Sequence, residues 1–265
     1  MADPHVFEGS AVEDLFERAI AVNDTPEYLG RYDSFDFRSR FSAEQLRKVE
    51  FPRLITILEF ERMVNERGIR AERVLNLNGG ADGDPELPSL PHDVVDIGDH
   101  DVEPDRYDMH ALVLDRHDYD FVLFSQTLEH LYNPLLALDN VHDALRPGGY
   151  VFTSVPTISP LHQLPYHFQT GFTPIGLAAL FAQAGFEVLE VGQWGNAKYA
   201  SCLFDLQIYP TYHDLRRGDV RGTGLRHTWL GVKRFSMRNL LADGTRNDYG
   251  IPAQAWILAR RPSAS

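Results

Sequence analysis

The stretch YDFVLFSQTLEHLYNPLLALDNVHDALRPGGYVFTSVP, residues 119–156, decides the fold. Its opening run, Tyr119 to Ser125, is apolar enough to be a strand buried on both faces. The chain then passes through Ser125-Gln126-Thr127 and the pair Glu129-His130. Asn133 is a helix cap, and Pro134 takes the first-turn position that proline favours. Leu135, Leu138, Val141 and Leu145 fall on one helical face. Pro147-Gly148-Gly149 stops this helix and turns into a second strand, GYVFTSVP, so these glycines are read as geometric. A strand, a helix and a second strand in this order imply parallel pairing.

Outward from this unit, short apolar runs recur: RVLNL (73–77), DVVDI (93–97), FEVLEVG (186–192) and AQAWILA (253–259). Strands alternating with helices imply a mainly parallel sheet. Residues from about 11 to 70 read instead as helical, with Pro52 marking a kink or a first turn and Gly68 a stop. Between Gln193 and about Asn247 lies a long polar and aromatic insertion. Its Trp194, Tyr199, Tyr209, Tyr212, His213 and Trp229, with Arg216, Arg217, Arg221 and Arg226 between them, suit either a lid over an aromatic or anionic acceptor or a homodimer surface.

Composition excludes several classes. A formal net charge of −13 over 265 residues argues against wide nucleic-acid binding, which needs clustered Lys and Arg. A single cysteine, Cys202, cannot close an internal disulfide and suits a reducing, cytoplasmic setting. No run approaches the length of a membrane span, and the acidic start lacks the pattern of a targeting segment. The expected partner is therefore a small molecule, with no nucleic acid and no membrane.

In an open parallel sheet, ligands bind at the carboxyl ends of the strands. After the first run stand Asn78, Gly79, Gly80, Ala81, Asp82 and Gly83, a turn that lets a ligand approach the backbone. Asn78-x-Gly80-x-x-Gly83 approximates a dinucleotide fingerprint. Pro85, Pro88 and Pro91 leave little room for the helix that would hold a pyrophosphate, so a ligand without phosphates fits better than NAD. Asp96 ends the second run, where a carboxylate can pair with a ribose diol. Asp108 precedes Met109, an acceptor and an apolar cover suited to an adenine ring. Each of these acids alone is as well explained as a helix cap or a solvated turn.

Their order resembles a known family. VLNLNGG (74–80), Asp96, DMHAL (108–112), YDFVLFSQTLEH (119–130), LRPGGY (145–150), His167-Phe168, Phe172-Thr173-Pro174 and LFAQAGFEV (180–188) are similar to the class I S-adenosylmethionine-dependent methyltransferases of the type-11 domain group. The resemblance covers about residues 73–194. It implies an α/β, Rossmann-like, doubly wound and mainly parallel seven-stranded sheet with an antiparallel last strand. To this are added N-terminal helices (1–70), a cofactor-binding core (71–194) and a lid or insertion with the closing strand (195–265).

The implied cofactor is S-adenosylmethionine. By resemblance, Asn78, Gly79 and Gly80 line its amino-acid part, Asp96 its ribose, Asp108 and Met109 its adenine, and Ser125 and Gln126 its methionine portion. Where the family carries an acid this chain has Asn76, and Asn78 and Asp82 replace the flanking glycines of a Gly-x-Gly-x-Gly turn. The implied activity is methyl transfer to oxygen, nitrogen or carbon of a small molecule, in secondary metabolism or sugar modification. A methyltransferase-like module that binds a ligand or partner without transfer is the alternative.

Three histidines are candidates for a base or an acceptor clamp: His130 after the first strand of the unit, and His162 and His167 after the second. Each is equally well explained as a side chain that pins a loop. The acidic and histidine-rich stretch HDVVDIGDHDVEPDRYDMH (92–110) has no HExxH, cysteine-pair or calcium-loop spacing, and no metal is expected there.

Overall fold

The computed structural model describes residues 9–78, 84–205, 209–217 and 244–263. Five helices come first: α1 (Gly9–Ala19), α2 (Pro26–Leu29), α3 (Phe37–Arg40), α4 (Gln45–Lys48) and α5 (Phe51–Arg67). The chain continues through β1 (Ala71–Asn76), β2 (His92–Ile97), α6 (Pro104–Tyr107), β3 (Tyr119–Leu123), α7 (Pro134–Ala144) and β4 (Leu145–Pro156). After α8 (Pro174–Gln183) and β5 (Glu187–Trp194) come α9 (Ala197–Asp205), α10 (Tyr212–Arg217) and the closing strand β6 (Gln254–Arg260).

The strands form one sheet in the order β2-β1-β3-β4-β6-β5. β1 pairs in parallel with β2 and β3, and β3 with β4, whereas β6 runs antiparallel to both β4 and β5. The expected Rossmann-like sheet is present with six strands among the described residues, not seven. The difference lies between β2 and β3. There the apolar run Ala111–Leu114 is tied back to α6, with Val113 N donating to Arg106 O at 2.9 Å, and never pairs beside β2. β2 therefore forms one edge, and Val94 and Ile97 are exposed on it.

Helices cover both faces. α5 carries Phe60, fully buried, against Phe152 and Phe121 with ring centroids 4.6 Å and 5.8 Å away. Pro52 stands in its first turn, and Gly68 ends it at φ 59°, a left-handed conformation that suits glycine. On the other face α1, α7 and α8 pack over Leu75, Val122, Val151 and Ile257. The edge of β5 is also covered: Asn23 donates to Val191 O, and the Tyr28 hydroxyl bonds both the N–H and the carbonyl of Gln193. This leaves little of that edge for pairing with another chain.

Asn133 caps α7 through its side chain, with Pro134 in the first turn. The helix ends earlier than expected, at Ala144: Leu145 already pairs with Tyr119 as the first residue of β4, and Pro147-Gly148-Gly149 lies inside that strand, at the irregularity before Tyr150 pairs with Phe121. Gly148 has φ 81°, and a Cβ on Gly149 would lie 2.9 Å from the carbonyl oxygens of Tyr119 and Arg146, so both positions need glycine. No described helix is long and apolar enough to cross a membrane.

Candidate functional site

At the carboxyl end of β1 stands the buried Asn76. Its Oδ1 accepts from Asn78 N at 3.0 Å, while its buried Nδ2 has no partner among the described residues. Beyond β3 the chain makes a strained turn. Gln126 takes φ 57°, held because its N–H donates to Ser154 O on β4 at 2.7 Å. Ser125 N donates to Asp84 Oδ2 at 3.1 Å, and the buried Ser125 Oγ has no hydrogen-bond partner among the described residues.

Beneath these tips lies a buried ionic group. Arg53, near the start of α5, donates to Ser154 Oγ at 3.1 Å and stands 3.8 Å from Asp84 and 3.6 Å from Glu86, both fully buried. Asn78 Nδ2 also donates to Asp84. Two acids share one guanidinium in a dry setting, so the pair holds a proton more tightly than free carboxylates do. Burial first, and then the neighbouring Glu86, push Asp84 up to about 8, and burial raises Glu86 as well. Among the described residues neither oxygen of Glu86 has a hydrogen-bond partner.

The three candidate histidines are brought together. The loop after β4 closes at a neck where Ser159 N donates to Thr170 O and Phe172 N to Pro156 O. Gly171 sits there at φ 143°, and a Cβ on it would lie 2.4 Å from the Thr157 carbonyl carbon. Phe168 N and Gln169 N both donate to Glu129 O, which lays the loop over the short 3-10 turn Leu128–His130. As a result the ring of His162 lies 4.9 Å from His130 and 4.5 Å from His167, with His130 and His167 5.7 Å apart. Burial lowers the pKa of His130 and of His167. The neighbouring Glu129 is itself buried, and this pushes its carboxyl up to about 7. Around the cluster Tyr132, Leu161, Leu164, Tyr166 and Phe168 are exposed.

The other named residues lie elsewhere. Asp96 faces along the sheet, accepting from Tyr119 Oη at 2.9 Å and pairing with Arg73 at 3.2 Å. Asp108 accepts from His110 N at 2.9 Å and lies 2.8 Å from His110 Nδ1, and Met109 is buried in the core. Gly79 and Gly80 lie outside the described residues, as do Trp229, Arg221 and Arg226 of the insertion. Trp194, Tyr199 and Tyr212 are buried against α5.

Sequence reasoning did not single out the buried group of Arg53, Asp84 and Glu86. Asp99 opens the turn just past β2, its side chain accepting from Asp101 N and its carbonyl from Val102 N and Glu103 N. A depression of about 470 Å³ lies at the opposite, amino end of the sheet, among Arg73, Asp93, Arg116 and Asp120. Arg73, Asp93 and Arg116 all take part in ion pairs, as Asp120 does with Arg146, so most of the charge around it is already paired.

A doubly wound sheet with polar groups gathered at its carboxyl end defines a Rossmann-like ligand-binding protein. A family model described as a methyltransferase domain matches residues 49–191, over half of the chain. The chain belongs to this family, that of the S-adenosylmethionine-dependent methyltransferases. No curated protein matches it.

Similar solved structures share little sequence. The phosphoethanolamine N-methyltransferase 2 of Haemonchus contortus, in complex with S-adenosyl-L-methionine, is 13% identical over 97% of this chain and 61% of its own, with a TM-score of 0.46. An S-adenosylmethionine-dependent methyltransferase of Mesorhizobium loti is 15% identical over 76% of this chain and 98% of its own, with a TM-score of 0.41. One from Archaeoglobus fulgidus is 16% identical over 78% and 94%, with a TM-score of 0.40.

Proposed function

We propose that the enzyme methylates a small-molecule acceptor whose nucleophile is received by the histidine cluster. The observation that carries this reading is the convergence of His130, His162 and His167 at the carboxyl ends of β3 and β4, where open parallel sheets bind their ligands. The exposed rim of Tyr132, Leu161, Leu164, Tyr166 and Phe168 suits an acceptor with an apolar or aromatic portion.

The residues present fit the polar end of the cofactor. Glu86, Ser125 Oγ and Asn76 Nδ2 are buried polar groups without a hydrogen-bond partner among the described residues, and the ammonium and carboxylate of an amino-acid moiety would satisfy them. Asp99, past the end of β2, is better placed for a ribose diol than Asp96, which is engaged along the sheet. Bound S-adenosylmethionine supplies a methyl group already activated on a sulfonium. Positioning can then contribute on the order of 7–11 kcal/mol to the acceleration. For a hydroxyl acceptor, a histidine Nε2 lone pair takes the proton.

Calorimetric titration with S-adenosylmethionine, followed by an acceptor screen with mass detection of an added methyl group, tests the reading. Saturable binding and a methylated product whose rate falls about a hundredfold in His162→Ala support it. Cofactor binding with unchanged turnover in His130→Ala, His162→Ala and His167→Ala would refute the role of the cluster.

A further inference from the structure

We propose that His130, His162 and His167 bind one divalent transition-metal ion of the zinc class. One ring nitrogen from each lies within 4.8 Å of those of the other two. Three nitrogens on one zinc-class ion, each about 2.0–2.1 Å from it, stand roughly 3.4 Å apart. Side-chain rotations moving each nitrogen by about 1 Å close that gap.

The tautomers are already set for ligation. His130 Nδ1 lies 2.6 Å from Tyr166 O, and His162 Nδ1 lies 2.9 Å from Pro160 O. A carbonyl only accepts, so both Nδ1 atoms carry the proton and both Nε2 atoms keep their lone pairs. Metal-bound histidines are held in just this way, by a carbonyl on the far nitrogen.

His167 is an independent observation. It is only 9% exposed, and neither of its ring nitrogens has a hydrogen-bond partner among the described residues. Buried polar atoms are nearly always satisfied, and a metal ion satisfies a lone pair. The neighbouring Glu129 can supply negative charge once a dication draws off its proton: its Oε1 lies 4.0 Å from His130 Nε2, and its buried Oε2 has no hydrogen-bond partner among the described residues. A dication fits between neutral imidazoles and this carboxylate. No sequence spacing advertises the site, because His130 reaches the other two only through the loop that Glu129 O anchors.

An all-imidazole set favours zinc, cobalt, nickel or copper over calcium or magnesium. Three protein ligands leave a position open for an oxygen of substrate or water. That the open position takes the acceptor rests on the methyl-transfer reading, and with the ion bound it is the ion, in place of a free histidine lone pair, that would acidify a hydroxyl acceptor; the ion site itself does not rest on that reading.

Untagged protein stripped with a chelator and titrated with cobalt chloride tests the proposal. We expect one equivalent of cobalt bound, with visible d–d absorption that zinc abolishes, and a zinc-dependent rise in melting temperature. His162→Asn and His167→Asn, shown to be folded by circular dichroism and by retained S-adenosylmethionine binding, should lose the absorption. Failure of the wild-type protein to take up stoichiometric cobalt, or undiminished uptake by His167→Asn, would overturn the site. Cobalt bound at the histidines with no acceptor methylated supports the site and removes the methyl-transfer reading. Methylation without cobalt uptake does the reverse.

Discussion

The guanidinium of Arg53 lies 3.6 Å from a fully buried Glu86 carboxyl group that accepts no hydrogen bond from the described residues. Asp84, 3.8 Å away, is the other acid held by the same cation. Removing one member of a buried ionic group leaves uncompensated charge, which costs more than the group contributes when intact. Arg53→Ala should therefore destabilise the protein by about 3–5 kcal/mol in urea unfolding at neutral pH. Adding Asp84→Asn and Glu86→Gln to that variant should recover much of the loss, because neutral amides need no cation. If the triple variant is no more stable than Arg53→Ala, electrostatics is not what binds α5 to the strand tips.

The same group makes stability depend on pH. Asp84 holds its proton up to about 8 in the folded chain, chiefly through burial, whereas an unfolded aspartate titrates near 4. Between these values the folded state binds more protons than the unfolded one, so stability falls as pH rises. The contribution is complete below pH 4, shrinks through the interval and is gone above about pH 8. From pH 5 to pH 8 the loss from this group should be on the order of a few kcal/mol. Thermal melts of wild type and Asp84→Asn across that range should diverge accordingly. Parallel curves for the two proteins would contradict the assignment.

Gln126 stands at φ 57°, which costs a non-glycine residue roughly 1–2 kcal/mol. Its N–H bond to Ser154 O is a backbone bond that glycine would keep. Gln126→Gly should raise unfolding stability by up to about 1 kcal/mol, the relief of strain being partly offset by a more flexible unfolded chain. If the side chain also faces the methionine portion of the cofactor, calorimetry should show weaker S-adenosylmethionine binding in the same variant. A stabler protein that binds less well would identify strain kept for function.

Local signals account for what could be read in advance. The capped helix after Asn133 and the stop at Gly68 depend on residues within a few positions of one another, so the strand and helix order was legible; the end of α7 was misplaced, because pairing of Leu145 with Tyr119 starts β4 before Pro-Gly-Gly is reached. The seventh strand came from the family resemblance alone: six apolar runs stand in the sequence and six strands form, while Ala111–Leu114 is tied to α6. The histidines were legible as candidates. Their convergence was not, since it depends on the loop neck at Gly171 and on the carbonyl of Glu129. Arg53 was hidden because its partners stand more than thirty residues away, on the far side of β1 in the chain.

Two aspartates near the end of β2 offer the last test. Asp96 is the acid that strand-end reasoning selects, yet Tyr119 Oη and Arg73 already occupy its carboxylate. Asp99 lies past the final β1–β2 pair, Asn76 with Ile97, and so nearer the strand tips. Replacing each by asparagine separates structure from binding. Asp96→Asn should lower stability by about 1 kcal/mol, through the weakened ion pair and hydrogen bond, and leave S-adenosylmethionine affinity unchanged. Asp99→Asn keeps an oxygen to accept from Asp101 N, so the turn should survive. It loses the charged acceptor for a ribose diol, and affinity should fall roughly tenfold or more, the range expected for a hydrogen bond to a charged group. Calorimetric titration of both variants decides between them, and a loss of affinity confined to Asp96→Asn would return the ribose to the acid on the strand.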